Sequence, residues 1–222
     1  MYDILIRNAR IVDGTGAPWY YGDLGVQGGM ITAMGRLGGQ AARETVEADG
    51  LVLAPGFIDL HSHTDSTLPE YALGESRLFQ GITTEIGGNC GMSMAPAQPE
   101  TLDLLKDYMG QAPYNWTGFG AFLDRMEEMR PSVNFGCLAG HGTVRIAVMG
   151  FSDRKADEEQ RKKIHNLVAE CMEEGAFGLS SGLIYPPGLF SDVEELAEAA
   201  SAVVPYGGYY CTHMRNENVR LI

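Results

Sequence analysis

From Leu51 onward the sequence alternates short strand-like runs with helical stretches, and this alternation constrains the fold more than any other feature. Strand-like runs lie at 55–63, 83–88, 133–140, 177–183 and 208–213, and helical stretches fall within 67–80, at 157–174 and at 191–204. Such a pattern predicts parallel strands joined by crossover helices, an α/β fold. In 157–174 the apolar residues Ile164, Leu167, Val168, Cys171 and Met172 share one helical face, and Gly175 follows as a left-handed cap. Ser191-Asp192-Val193-Glu194 reads as a capping box with Ser191 at the cap. Five strand units suit either an open sheet or an eight-fold barrel short of about three units, and counting leaves both open.

Two segments fall outside the alternation. Residues 1–54 carry short strand-like runs, Ile4-Leu5-Ile6, Arg10-Ile11-Val12, Asp23-Leu24-Gly25-Val26 and Met30-Ile31-Thr32-Ala33, the last after a Gly28-Gly29 turn. They read as part of a small β domain with too few apolar residues to stand alone. Residues 92–131, with Pro96, Pro99, Pro113, Tyr114, Trp116 and Phe119, read as an insertion with helices near 99–108 and 118–128. Surface padding is favoured for it over a roof above a pocket.

Composition removes several classes of function. A formal net charge of -13, with no cluster of Lys and Arg, argues against a nucleic-acid partner. No segment approaches the ~20 apolar residues of a membrane span, and Met1–Val12 lacks the apolar centre of a signal peptide, so a cytoplasmic protein without a membrane partner is expected. Cys90, Cys137, Cys171 and Cys211 are widely spaced, as reduced thiols rather than a disulfide framework.

The strongest chemical signal is Pro55-Gly56-Phe57-Ile58-Asp59-Leu60-His61-Ser62-His63-Thr64-Asp65. On a strand, Asp59, His61 and His63 project to one face, which brings two imidazoles to the strand's C-terminal end, where α/β proteins bind ligands. Paired imidazoles suit zinc or a similar ion. The next strand runs into Gly87-Gly88-Asn89-Cys90-Gly91, whose glycines allow close backbone approach and whose thiol is a candidate zinc ligand. A third histidine, His213, ends the last strand-like run and precedes Arg215-Asn216-Glu217. His141, within Gly140-His141-Gly142-Thr143, reads as a pocket residue rather than a ligand, and His165 as a surface residue. Ser181 and Tyr185, in the run Gly178 to Gly188, could orient a substrate, as could Arg215. That run also contains Gly-x-Ser-x-Gly with Ser180 at its centre, the pattern of a serine nucleophile, but Pro186 and Pro187 stand where a helix should begin.

In combination these motifs resemble the N-acyl-D-amino-acid deacylases of the amidohydrolase superfamily. The resemblance is carried by Met1 to Gly16, Pro55 to Asp65, Gly87 to Gly91, Gly140 to Thr143, Ser180 to Leu183 and Thr212 to Glu217. It implies a partial (β/α)8 TIM-like barrel of the metal-dependent hydrolase type over 55–222. Residues 1–54 would then be half of a small β-sandwich whose other half comes from the far C-terminus. It further implies that Cys90 and His213 hold a tight zinc ion while His61 and His63 serve a second, weaker site; the substrate is then expected to be a small N-acyl amino acid, with His141, Ser181, Tyr185 and Arg215 as the candidates to line its pocket. One more zinc histidine and the general acid/base aspartate are expected beyond Ile222, so the chain itself is expected to be inactive or nearly so. The rival readings are a cyclic-amide amidohydrolase, such as a dihydropyrimidinase or hydantoinase, and a non-catalytic fragment.

Overall fold

The computed structural model describes residues 1–110 and 112–218, and the chain divides into two compact units, Met1–Gly56 and Phe57–Ile222. The first unit is one sheet of β1 (Tyr2–Ile11), β2 (Tyr20–Gln27), β3 (Met30–Gly35), β4 (Ala42–Glu47) and β5 (Val52–Leu53), in the order β3-β2-β1-β4 with β5 paired to β1. Gly28 and Gly29, both at positive φ (61° and 76°), make the tight turn between antiparallel β2 and β3.

The runs expected as separate strands at Ile4–Ile6 and Arg10–Val12 are one strand. Asn8 at φ 58° forms a bulge that shifts the register between Ile6 and Ala9, and its N–H donates to Asp23 Oδ1 at 3.0 Å. Strand β4, Ala-Arg-Glu-Thr-Val-Glu, has no alternation to betray it. It forms because its backbone pairs in parallel with β1, Ile4 to Glu44 and Ile6 to Val46. Only Ala9, Ile11 and Ala48 make a buried cluster here, and Ile31 and Met34 line an apolar groove with Ile6, Leu24 and Leu53. The unit thus has little core of its own.

The second unit is a parallel series wound in chain order. Its strands are β6 (Phe57–Asp59), β7 (Ile82–Gly87), β8 (Asn134–Cys137), β9 (Ala139–Gly140), β10 (Gly178–Gly182) and β11 (Tyr209–His213). They pair as β6-β7-β8 and β9-β10-β11. Strands β8 and β9 are separated by Leu138 alone, whose N–H still reaches Gly87 O at 3.0 Å, so the two short sheets are halves of one curved wall of five strand positions. This is part of a (β/α) barrel. Its helices are α1 (Glu75–Leu78), α2 (Leu102–Met109), α3 (Phe119–Glu128), α4 (His141–Met149), α5 (Glu158–Glu173) and α6 (Val193–Ser201).

Four sequence expectations change. The helix within 67–80 shrinks to the four residues of α1, since Pro69 lacks a backbone donor and Gly74 turns left-handed at φ 51°. Helix α4 begins directly from β9 at Gly140-His141-Gly142, where glycines give the sequence no helix signal. The cap of α6 is Asp192, whose side chain accepts from Glu195 N at 3.0 Å, and not Ser191, whose hydroxyl bonds Gly188 O at 2.6 Å. Finally, the 92–131 segment is not surface padding: Met94, Trp116, Phe119, Phe122 and Met126 are buried in the main core, which also holds Ile164, Val168 and Leu179. Among the described residues no helix is long and apolar enough to cross a membrane.

Candidate metal centre

Strand β6 ends at Asp59, and the histidines sit just past it on a bend in which Asp59 Oδ1 accepts the His61 N–H at 3.0 Å. His61 and His63 are exposed while Ser62 and Thr64 between and after them are buried, so the imidazoles share a face as strand alternation predicts. Their rings lie 5.9 Å apart at 77°.

The bend is held from the neighbouring strand by Asn89. Its fully buried amide donates to Leu60 O (3.3 Å) and Ser62 O (3.4 Å), the carbonyls on either side of His61, and to Ile86 O (2.9 Å). Asn89 begins the loop that carries Cys90 past β7. That loop is left-handed at Gly88 (φ 71°), Cys90 (56°) and Gly91 (73°), and it turns the Cys90 sulfur back towards the histidines.

Cys90 Sγ lies 3.3 Å from His61 Nε2 and 3.6 Å from His213 Nδ1, and the ligand atoms of His61, His63 and Cys90 all fall within 4.8 Å of one another. His213 ends β11, where pairing sets it beside Gly182 of β10. Burial pushes the Cys90 thiol up from its ordinary pKa, with the Glu217 carboxylate adding to the shift, and burial together with the nearby His61 pushes His63 down.

The group of Cys90, His61 and His63, one thiol and two imidazoles, fits a metal ion of the zinc class, and the imidazole of His213 stands against the same sulfur from a third strand end. His213 Nε2 is buried and, among the described residues, makes no hydrogen bond, although Glu217 Oε1 stands 2.9 Å away. Its other ring nitrogen, Nδ1, is the one that faces the Cys90 sulfur.

The remaining sequence candidates divide. Tyr185 joins the cluster: its hydroxyl is 3.4 Å from His213 Nδ1, and the two rings meet edge to face at 5.0 Å. Ser181 points to the opposite face of β10, where its hydroxyl lies 2.6 Å from both Tyr210 Oη and Thr212 Oγ1. Arg215 reaches the backbone, with Nη1 donating to Leu189 O at 2.5 Å and Nη2 to Ser191 O at 3.0 Å. His141 is fully buried at the start of α4, 2.8 Å from Glu195 Oε1. His165 is partly exposed on α5.

Three residues with roles here escaped the sequence reading. Glu195 and Arg145, both fully buried, form the ion pair that holds His141. Asp65, two residues past His63, is fully buried with neither oxygen hydrogen-bonded among the described residues. Burial pushes its carboxyl up to about 6, against the pull of backbone amides at Gly88 and Met94. Glu195 and Arg145 belong to no spacing pattern, so only the packed fold reveals them, whereas Asp65 closes the Pro55-to-Asp65 run and continues its every-second-residue spacing.

A family model described as "Amidohydrolase family" matches residues 44–220. The chain belongs to the amidohydrolase family. Among curated members, this amidohydrolase is 38% identical to the D-aminoacylase of Alcaligenes xylosoxydans xylosoxydans, over 100% of this chain and 46% of that protein. It is 36% identical to the N-acyl-D-aspartate deacylase of the same organism, over 97% of this chain and 44% of the other. Among solved structures, a D-aminoacylase superposes with a TM-score of 0.89 at 36% identity, covering 98% of this chain and 46% of that one. The N-acyl-D-glutamate deacylase of Bordetella bronchiseptica, solved with zinc and a phosphonate that mimics the tetrahedral intermediate, superposes at 0.84 with 34% identity over 97% and 46% of the two chains. The amidohydrolase chain described here thus spans about half the length of the curated relatives it matches.

Proposed function

We propose that the protein is a zinc-dependent amidohydrolase that cleaves the amide bond of N-acyl-D-amino acids to a carboxylic acid and a D-amino acid. The convergence of the Cys90 sulfur with His61, His63 and His213 carries the reading, because that donor set has no simpler purpose at the C-terminal ends of barrel strands. The linear N-acyl substrate class is supported by relatives named for it at 36–38% identity. A hydantoinase, at 21% identity, shares the fold alone and lends the cyclic-amide alternative no weight.

In this reading Cys90 and His213 hold the tight ion and His61 and His63 a second, weaker one. Bound zinc supplies Lewis acidity towards the scissile carbonyl and acidifies water near neutral pH. Cys90 serves as thiolate, giving up its proton when metal binds. Tyr185 directs its hydroxyl into the same space, where it donates to an oxygen of the substrate. Asn89 keeps the histidine bend fixed through the carbonyls flanking His61. The proton that the leaving amine needs comes from an aspartate that the resemblance assigns to the complete catalytic barrel.

The test compares N-acyl-D and N-acyl-L substrates, with a hydantoin alongside, on the zinc-loaded protein extended to the length of its relatives. Release of D-amino acid that stops with a chelator and returns with zinc is expected. Equal rates on both enantiomers, or ring opening of the hydantoin alone, would overturn the reading.

A further inference from the structure

We infer that Ser180 is a positioning residue for Cys90: its buried hydroxyl clasps the loop on both sides of that cysteine and fixes where the sulfur points. The inference rests on the reading of Cys90 as a metal ligand.

Cys90 occupies the left-handed region at φ 56°, which a residue with a Cβ rarely adopts unless its surroundings impose it. Those surroundings come from β10. Ser180 is fully buried; its Oγ donates to Gly88 O at 2.5 Å and accepts the Gly91 N–H at 2.9 Å. One hydroxyl thus satisfies two backbone groups that bracket residues 89 and 90, which the loop's own turn leaves without partners.

The loop also has no room to slide. A Cβ on Gly91 would stand 2.7 Å from Gly182 N, one on Gly140 would stand 2.7 Å from Gly91 C, and one on Gly182 would overlap Cys90 O. Backbone therefore meets backbone on two sides, and Ser180 supplies the hydrogen bonds at that contact. The pairing of Ser180 with Cys211 and of Gly182 with His213 puts the clasp and the third histidine on the same face of adjoining strands. One strand, β10, thereby sets the distance between the Cys90 and His213 donors.

This also accounts for the Gly-x-Ser-x-Gly pattern. Its serine gives its proton to a carbonyl, and Gly178 and Gly182 permit close backbone approach rather than a nucleophile elbow.

The experiment is a cobalt(II) titration of the full chain, reading the thiolate-to-cobalt charge-transfer band and the affinity by chelator competition. Ser180→Ala is expected to bind cobalt about 10–100-fold more weakly than the native chain, as loss of a group supporting a metal ligand does. Ser180→Thr, which keeps the hydroxyl, is expected to restore much of that affinity. Circular dichroism of the metal-free proteins checks folding, and if Ser180→Ala does not fold, the near-isosteric, weakly hydrogen-bonding Ser180→Cys carries the same expectation. A folded Ser180→Ala with native affinity and an unaltered band would overturn the clasp. Cys90→Ala separates the two claims: if it keeps the band, the metal reading itself is wrong, whereas loss of the band there and its retention in Ser180→Ala refutes only the clasp.

Discussion

Nε2 of His61 lies 3.3 Å from the sulfur of Cys90 across 29 residues of sequence. The contact follows from topology: β6 and β7 are parallel neighbours, Asp59 beside Glu85, so the residues that run past their C-terminal ends arrive together. A parallel barrel makes such meetings routine, which is why its chemistry gathers at that end. The consequences for stability and metal binding can be measured one residue at a time.

Among the described residues Arg145 is the largest fully buried side chain, and its guanidinium is bonded internally. Its Nε donates to Glu195 Oε1 at 2.9 Å, and its terminal nitrogens reach the carbonyls of Ser152 (2.8 Å), Pro187 (3.1 Å) and Arg154 (2.5 Å). Arg145→Ala leaves the Glu195 carboxylate buried without its cation, and a loss of about 3–5 kcal/mol is expected in urea unfolding. A loss under about 1 kcal/mol would mean that the pair is solvated in solution.

Glu195 gives the same network a pH signature. Burial raises its pKa, but the hydrogen bond and charge of His141 and the charge of Arg145 outweigh that effect and hold it below its ordinary 4.5. A carboxyl whose folded pKa is depressed contributes stability that is present above 4.5 and lost as pH falls through the lower folded value. Native protein should therefore lose stability on acidification below 4.5 more steeply than Glu195→Gln, which should be less stable at neutral pH. Thermal unfolding of both proteins at neutral and acid pH checks this, and parallel curves would contradict it.

Gly182 stands where β10 passes the Cys90 loop, and an added Cβ would collide with the Cys90 carbonyl. Backbone cannot swing aside as a side chain can, so Gly182→Ala should cost about 1–3 kcal/mol as overpacking does. It should also displace the sulfur. Chemical denaturation gives the first quantity, and the alkylation rate of Cys90, resolved by peptide mass spectrometry, gives the second, which is expected to rise.

Much of this was legible in the sequence where local pattern and function coincide. His61 and His63 announce themselves because strand period alone sets two imidazoles on one face, and Cys90 because three glycines surround it. The buried stripe of α5 follows from helical spacing, with Ile164, Val168, Cys171 and Met172 inside. The illegible parts depend on partners distant in sequence. Strand β4 carries Arg43, Glu44, Thr45 and Glu47 against only Ala42 and Val46, and only its pairing with β1 defines it. Ser180 and Ser181 are chemically identical neighbours, and nothing local says that one clasps the Cys90 loop while the other faces Tyr210 and Thr212. Asp192 displaced Ser191 as the cap of α6 because Ser191 Oγ is taken by Gly188 O, a contact set by the preceding turn.

The central claim is that Cys90 and histidines bind one metal ion together. X-ray absorption at the zinc edge of the zinc-loaded chain tests it directly. One sulfur scatterer at about 2.3 Å with nitrogen at about 2.0–2.1 Å is the expected result, the sulfur vanishing in Cys90→Ala. A shell of nitrogen and oxygen alone in the native protein would contradict the account.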